Sequence, residues 1–272
     1  MIPITDKEFK DLADFIHRNY GIHLKEEKKT IVMGRLYQVL QQLNFDNFTD
    51  YLRYVLADPT EKAASVLVEK ITTNHTFFMR EAEHFQFLQH KVLPYLSQTI
   101  RDRDLRVWSA GCSSGEEPYT LAMILDEFFG LQKGSWDTKV LATDISHRVL
   151  EAAAKGTYAT EALASLPPQW KHRYFKNNGD GTSDVVDKIK REVIFRRFNL
   201  METSFPFKRK FHVIFCRNVM IYFDQKTKTE LVRRFYQHME PGGYLFIGQS
   251  ETIDREAVPY RYIMPAVYRK EQ

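Results

Sequence analysis

The residues that point most directly to chemistry lie within 105–120, where a short apolar strand runs into a loop of small side chains. Gly111 and Gly115 lie in this loop, and small side chains let a ligand approach the backbone closely. Glu116 and Glu117 follow at once. These carboxylates would repel a phosphate but would suit a cationic group, and acids are also favoured in the first turn of any helix. The loop alone therefore fits both a ligand site and a capped helix start.

A further acid lies at a position that suits a ribose. Residues 138–142 have the apolar pattern of a strand, and Asp144 follows them. An acid after the second strand of a nucleotide-binding fold typically holds ribose hydroxyls, although Asp144 or Ser146 could equally cap the next helix. The loop also lacks the Lys or third Gly that cradles phosphates. Together these features favour S-adenosylmethionine (SAM), with its ribose and cationic amino group, over a dinucleotide.

Another polar group follows the apolar strand at 211–216. Polar residues at the carboxyl end of a central parallel strand lie where α/β proteins bind ligands. Arg217 can hold a carboxylate in a bidentate pair, and Tyr222 can place a hydroxyl near a reacting centre. The alternative is that Arg217 pairs with Asp224 and Tyr222 belongs to the core. An enzyme that methylates a nucleic-acid base or glutamine would be expected to have two prolines after Asn218, and the sequence has none there.

The composition limits the class of protein. A chain of 272 residues with 43% hydrophobic residues is long enough for one large or two modest domains. No apolar run approaches the ~20 residues that span a bilayer, and the N-terminus lacks a signal-peptide pattern, so no membrane insertion is predicted. Cys112 and Cys216 are the only cysteines and fit no metal-ligand spacing. We expect free thiols in a reducing cytoplasm and no metal site.

The net charge of +4 is unevenly distributed. Residues 171–210 contain 11 Lys and Arg against 5 Asp and Glu, so the remaining chain is slightly acidic. A basic region indicates an acidic macromolecular partner, either nucleic acid or an acidic protein surface. The charges also fit the solvated face of a β-hairpin.

The pattern of the chain predicts how these motifs are positioned. Residues 1–72 have helical periodicity and form a small helical domain, and 73–98 form a linker segment with one amphipathic helix. From 99–272, strands and helices alternate, which predicts an α/β domain with a mostly parallel sheet. A small β-insertion interrupts this alternation at about 165–197, and a final strand is expected at 262–269.

The chain resembles the CheR-type chemotaxis receptor glutamate methyltransferases over nearly its whole length. Several motifs in the family's order carry the resemblance: 73–81, 108–119, 142–146, 198–200, 215–223 and 241–251. The resemblance implies a Rossmann-like SAM-dependent methyltransferase domain preceded by an all-helical domain. It also implies SAM as methyl donor, S-adenosylhomocysteine as product, and glutamates of membrane chemoreceptors as acceptors that become methyl esters. Such an enzyme acts in the cytoplasm, and we expect a monomer.

The linker and the first loop supply part of the site that the resemblance implies. Asn74, Thr76 and Arg80 match residues that contact SAM, with Arg80 suited to the methionyl carboxylate. Without the family, a helix cap would be the preferred interpretation of the first two. Glu117 matches the acid that faces the SAM head group, and Glu116 remains an alternative.

The carboxyl ends of the later strands supply the rest of that site. The matching residues are Asp144, Asn199, Leu200, Arg217, Asn218 and Tyr222. The resemblance implies that the first holds the ribose, the next two contact the adenine edge, and the following two line the transfer site. Arg217 and Tyr222 are the expected catalytic residues.

The expected partner is the acidic, glutamate-bearing helical region of chemoreceptors, and no nucleic acid. Some family members dock a receptor tail on the β-insertion, but this chain is a few residues shorter around 179–181. Direct recognition by basic surfaces is therefore an alternative, and Lys28, Lys29 and Arg35 can lie along one exposed side of a helix. An RNA methyltransferase is favoured only by the basic segment. A SAM-sensing scaffold would have a degenerate site, whereas these motifs are intact.

Overall fold

The computed structural model describes residues 2–271, and residues 6–71 form a group of helices. These are α1 Asp6–Tyr20, α2 Lys29–Gln42, α3 Phe48–Ala57 and α4 Lys62–Ile71. Helix α1 begins with a capping box formed by Thr5 and Glu8. The Thr5 hydroxyl accepts the amide of Glu8 at 3.2 Å, and the Glu8 carboxylate accepts the amide of Thr5 at 2.9 Å. Gly21 ends the helix in the left-handed conformation.

A connector at 72–81 leads into the second part of the chain. Seven more helices follow it: α5 Ala82–Phe87, α6 Leu93–Thr99, α7 Glu116–Phe129, α8 His147–Lys155, α9 Pro168–Tyr174, α10 Asp187–Lys190 and α11 Gln225–Gln237. A π-helical turn at Leu88–Val92 joins α5 to α6, so the predicted amphipathic helix is one nearly continuous rod. In the part of the chain that the structure describes, no helix combines the length and apolar character needed to cross a bilayer.

The strands alternate with these helices and build a mixed sheet. They are β1 Val107–Ala110, β2 Val140–Asp144, β3 Thr157–Ala159, β4 Phe175–Asn177, β5 Thr182–Val185, β6 Val193–Arg197, β7 Phe211–Cys216, β8 Met239–Ile247, β9 Tyr260–Met264 and β10 Val267–Lys270. The seven-stranded sheet has the order β6-β2-β1-β7-β8-β10-β9. Its first five strands are parallel, and the last two form an antiparallel edge. The predicted α/β class with a Rossmann-like sheet is confirmed.

Two details of the β-structure differ from the sequence expectation. The small three-stranded sheet is built from β3, β5 and β4, so it begins at Thr157, and β6 belongs to the large sheet. The predicted insertion at about 165–197 is therefore too late at both ends. The single strand expected at 262–269 is a hairpin, because Pro265 and Ala266 reverse the chain and Ala266 takes a positive φ of 61°.

One apolar core joins the helical group to the large sheet. Leu12 and Leu36 from the helices belong to the same buried cluster as Trp108 and Ile214 from the central strands. A second cluster lies on the opposite face of the sheet and includes the apolar side of α7. Polar contacts support the first interface, since Glu69 in α4 accepts the hydroxyl of Ser146 at 3.0 Å. The helices are thereby held over the carboxyl ends of the parallel strands.

Candidate active site

A cavity of about 270 Å³ lies at the carboxyl ends of β1, β2 and β7, under the connector. This is where an open α/β sheet binds ligands, because the strand order reverses at β1: β2 and β6 lie on one side of it and β7 and β8 on the other. All ten site residues predicted from the sequence line this cavity: Asn74, Thr76, Arg80, Glu117, Asp144, Asn199, Leu200, Arg217, Asn218 and Tyr222. Residues that are far apart in the sequence thus meet at one sheet edge.

The loop after β1 forms the floor of the cavity. Gly111 has a φ of 84°, and a Cβ atom there would lie 2.4 Å from the Val219 side chain, so only glycine fits. The Asp144 carboxylate accepts the amides of Ser113 at 2.9 Å and Ser146 at 3.0 Å. Burial raises the pKa of Asp144, and these bonds oppose the rise. Ser146, not Asp144, caps α8, because its hydroxyl accepts the amide of Val149.

The two acids that begin α7 have different surroundings. Glu116 is buried away from the cavity and accepts the hydroxyl of Ser114 at 2.7 Å. Glu117 lines the cavity and accepts the hydroxyl of Ser109 at 2.7 Å. Burial raises the pKa of both carboxyls. Glu117 is therefore the acid that can meet a cationic ligand group.

Arg217 is the most unusual polar residue of the cavity, because its side chain is only 2% exposed. Its Nε lies 3.4 Å from a Glu81 oxygen and 3.6 Å from a Glu117 oxygen, and its guanidinium carbon lies 5.1 Å from the Phe85 ring centre. Among residues 2–271, Nη1 has no hydrogen-bond partner. An unpartnered buried donor is costly, so this nitrogen suits a carboxylate brought by a ligand. The alternative pair with Asp224 does not form.

The loop that carries Asn218 is held by a buried acid that the sequence analysis missed. Glu251 accepts the amides of Asn218 and Ile221 at 3.0 Å and that of Gly248 at 2.6 Å. Burial raises the pKa of Glu251. Asn218 has a φ of 59°, a conformation that asparagine tolerates better than most residues, and its side-chain amide donates to Glu81 at 3.2 Å. Glu251 thus fixes the backbone of the predicted transfer site.

Tyr222 does not belong to the core; its hydroxyl contacts the connector. This hydroxyl accepts the amide of Thr73 at 2.9 Å and lies 3.1 Å from the Thr73 carbonyl. Arg35 holds the same segment from the other side. Its Nη1 donates to the carbonyl of Ile71 at 2.5 Å, and its Nη2 donates to the Thr73 hydroxyl at 3.1 Å. Arg35 is exposed, as expected beside Lys28, and its additional role as an anchor of the connector was not predicted.

The rest of the connector is an irregular stretch over 73–77, which lines the cavity, followed by a turn over 78–81. Helix α5 begins only at Ala82, so Asn74 and Thr76 do not cap a helix before Phe77. The Asn74 carbonyl accepts the hydroxyl of Ser113 at 3.3 Å. Arg80 folds back on the connector and donates to the carbonyl of His75 at 2.6 Å. The connector therefore contacts the first loop directly.

The helical group also contributes to the cavity wall. Tyr20 and Ile22 line the cavity beside Leu200. The Asn199 side chain donates to the carbonyl of Asn19 at 2.7 Å, and its oxygen accepts the amide of Met201. No local sequence pattern indicates these contacts, because they depend on how the helices dock. Glu81 and Glu251, in contrast, lie inside motifs that carry the family resemblance.

Four of the eleven basic residues of the basic segment 171–210 form ion pairs within the chain. The pairs are Arg173 and Lys188 with Asp126, Arg197 with Glu61, and Arg209 with Asp102 and Asp104. These pairs spread over several elements instead of forming one face. The segment 171–210 is thus less basic in the fold than its composition indicates.

The residues of the cavity fit SAM. A buried carboxylate, Asp144, suits a ribose, and Glu117 suits a cationic amino group. The unpartnered Nη1 of Arg217 suits a carboxylate, and Gly111 leaves room beside Val219 that a Cβ atom would fill. A phosphate-binding loop would present basic groups instead of two acids here.

Comparisons with known proteins agree with this chemistry. A model of the CheR methyltransferase SAM-binding domain matches residues 74–266, and one of the CheR methyltransferase all-alpha domain matches residues 7–72. A chemotaxis protein methyltransferase of Borreliella burgdorferi is 43% identical over 272 residues, which cover 99% of this chain and 96% of that protein. One of Salmonella typhimurium is 38% identical over 257 residues, which cover 92% and 85%. The chain belongs to the CheR family of SAM-dependent methyltransferases.

Proposed function

We propose that this enzyme transfers the methyl group of SAM to glutamate side chains of chemoreceptors, giving methyl esters that serve chemotaxis adaptation. The observation that supports this best is Arg217, a buried guanidinium with an unpartnered nitrogen at a SAM cavity. Such a group recognises a carboxylate. The names of the relatives as chemotaxis protein methyltransferases agree with a receptor substrate.

SAM would be held by residues from three parts of the cavity. From the connector, Arg80 meets the methionyl carboxylate, and Asn74 and Thr76 add neutral hydrogen bonds. Glu117 faces the cationic amino group, and Asp144 holds the ribose hydroxyls. The adenine edge lies against Asn199 and Leu200, which follow β6 and line the cavity.

The acceptor needs no general base. A glutamate has a reference pKa of about 4.3, so its side chain is already a carboxylate nucleophile at neutral pH. Bound SAM supplies an electrophilic methyl group on a sulfonium. The protein has to exclude water and align one carboxylate oxygen with the methyl carbon, and this orientation provides much of the rate enhancement.

Arg217 and Asn218 would orient the acceptor carboxylate, and the surrounding acids adjust the strength of that contact. Glu81 and Glu117 lie 3.4 and 3.6 Å from the Arg217 Nε, so they share its positive charge. A fully available guanidinium would hold the nucleophile in a strong ion pair and reduce its reactivity. Tyr222, one turn further along, can position the acceptor with its hydroxyl when the contact with Thr73 opens.

The receptor would approach at the open side of the cavity. Phe77 and Ile221 line this side and are 42% and 48% exposed. Lys28 is exposed on the helical group, where it can meet an acidic receptor helix. The product is a neutral ester, so each transfer removes one negative charge from the receptor. We propose that the enzyme works as a cytoplasmic monomer on the cytoplasmic helical region of the receptors.

The test is incubation with labelled SAM and receptor-containing membranes, followed by analysis of the label. Base-labile label on receptor glutamates is the expected result. An Arg217→Gln variant should lose transfer, and its SAM affinity should be measured in parallel. RNA, offered as the acceptor in a separate reaction, serves as control because the basic segment is the one feature that favours it. Label on RNA, or base-stable label on protein, would contradict the proposal.

A further inference from the structure

Three side chains of types that can bind a metal meet where the helical group contacts the loop that carries Tyr222. They are His17 in the last turn of α1, His23 just after that helix, and Asp224 before α11. One ligand atom of each lies within 4.8 Å of the others. The Nε2 of His17 lies 2.7 Å from an Asp224 oxygen, and the two imidazole rings have centres 6.0 Å apart. All three are distinct from the residues that line the SAM cavity.

The backbone holds these three residues in place before any ligand arrives. Gly21 turns the chain so that His17 and His23 face the same side. An antiparallel bridge between Ile22 and Phe223 fixes the two segments to each other. The second oxygen of Asp224 accepts the amide of Thr227 at 2.8 Å, which orients its carboxylate. This bond caps α11, and a metal ligand oriented by a further hydrogen bond is also typical of protein metal sites.

We propose that His17, His23 and Asp224 bind a zinc ion that ties the helical group to the loop that carries Tyr222. Two imidazoles and one carboxylate form a ligand set that zinc uses, with one position left for water. Zinc ligand atoms lie ~2.0–2.2 Å from the metal and therefore about 3.4 Å from one another in a tetrahedral site. To bind zinc, the distance between the His17 nitrogen and the Asp224 oxygen has to increase slightly, and the His23 ring has to move closer to both. Both histidines are exposed, so side-chain rotation can supply this adjustment.

Zinc at this position would act on the loop that carries Tyr222. The amide of His23 donates to the Tyr222 carbonyl at 2.8 Å, and Asp224 lies two residues further along. A bound ion would therefore restrain this loop and the end of α1 together. The site is independent of the acceptor that the enzyme methylates, so its test does not depend on the proposed function.

The experiment is titration of the full, chelator-treated chain with zinc chloride by calorimetry, with a thermal melt in parallel. Wild type should bind one zinc ion and melt at a higher temperature when zinc is present, because binding stabilises the folded state. His23→Ala and Asp224→Asn should each weaken binding by more than about tenfold and lose the thermal shift. Asparagine keeps a side-chain oxygen for the amide of Thr227, so this second variant preserves the start of α11.

The matched control is His172→Ala, which removes an exposed histidine of α9 outside the cluster. It should bind zinc as wild type does. Equal zinc binding by wild type and His23→Ala would show an adventitious ion only and overturn the proposal. Failure of wild type to bind zinc would also overturn it, and the hydrogen-bonded side chains of His17 and Asp224 would then join the two segments without metal.

Discussion

The anchoring of Thr73 from two sides leads to a quantitative prediction about SAM affinity. Arg35 donates to the Thr73 hydroxyl and to the carbonyls of Ile71 and Thr72, and Tyr222 contacts the Thr73 backbone. Thr73 lines the SAM cavity with the rest of the connector. Both side chains should therefore support SAM binding, although neither has to touch the ligand. The changes to make are Arg35→Gln and Tyr222→Phe, singly and together.

The expected magnitudes follow from the contacts that are lost. Charge-assisted hydrogen bonds contribute about 1.5–3 kcal/mol when buried, and the exposure of Arg35 reduces this to about 1 kcal/mol. Tyr222→Phe removes neutral hydrogen bonds that contribute about 0.5–1.5 kcal/mol. Each variant should thus weaken SAM binding by roughly fivefold. Once one anchor is lost, the connector moves and the second contact is weakened as well. The loss of SAM binding free energy in the double variant should therefore be smaller than the sum of the two single losses by at least about 0.5 kcal/mol.

Calorimetric titration with SAM measures all three affinities and gives the coupling energy directly. Lys28→Gln is the matched control, because it removes a nearby positive charge that has no part in the connector. It should leave SAM affinity unchanged. Unchanged affinity in both single variants, or effects that multiply fully in the double variant, would refute the two-sided anchor. Arg35 would then act on the receptor alone.

Three further predictions concern the site and its surroundings. Asp144→Ala should weaken SAM binding by about 1–3 kcal/mol through lost ribose contacts, measured by calorimetry, and unchanged affinity would remove Asp144 from the site. Burial raises the pKa of Asp224, but hydrogen bonds from Thr227 and His17 outweigh it and lower that pKa from 3.8 to about 2. The stability that this carboxylate contributes is therefore present above pH 3.8 and lost towards pH 2. In zinc-free denaturant unfolding, the difference in free energy of unfolding between wild type and Asp224→Asn should therefore decrease over that pH range. A difference that stays constant would contradict this. Receptor methylation should fall as ionic strength rises while SAM affinity barely changes, and salt-independent methylation would indicate an apolar interface or tail capture.

The sequence was sufficient to predict the residues at the carboxyl ends of the strands. Asp144 and Arg217 follow short apolar segments that have the pattern of buried strands, and parallel strands bring their ends to one edge. Asn74, Thr76, Arg80, Asn199 and Leu200 were identified through the family resemblance instead, and all ten predicted site residues line the same cavity. The choice between Glu116 and Glu117 needed the structure, because it depends on which way the first turn of α7 faces.

Contacts that depend on docking could not be predicted. Two examples are the hydrogen bond from Asn199 to the Asn19 carbonyl and the one from Arg35 to the connector. Each joins two segments whose sequence patterns do not indicate that they contact each other. The hairpin at the end of the chain was missed because its turn places Ala266 at a positive φ, which residue type alone does not indicate. The β-insertion was placed too late because β3 is only three residues long.

The continuous apolar core has a consequence for how receptor specificity can evolve or be engineered. Leu12 and Leu36 belong to the same continuous buried cluster as Trp108 of the sheet, so the helical group and the sheet share one interior. The helical group therefore cannot be exchanged on its own between relatives, even though the two family models divide the chain at residue 72. A chimera that takes its helices from a relative must also take the sheet surface beneath them. Otherwise the packing mismatch between helices and sheet would disrupt the active-site cavity of the chimera.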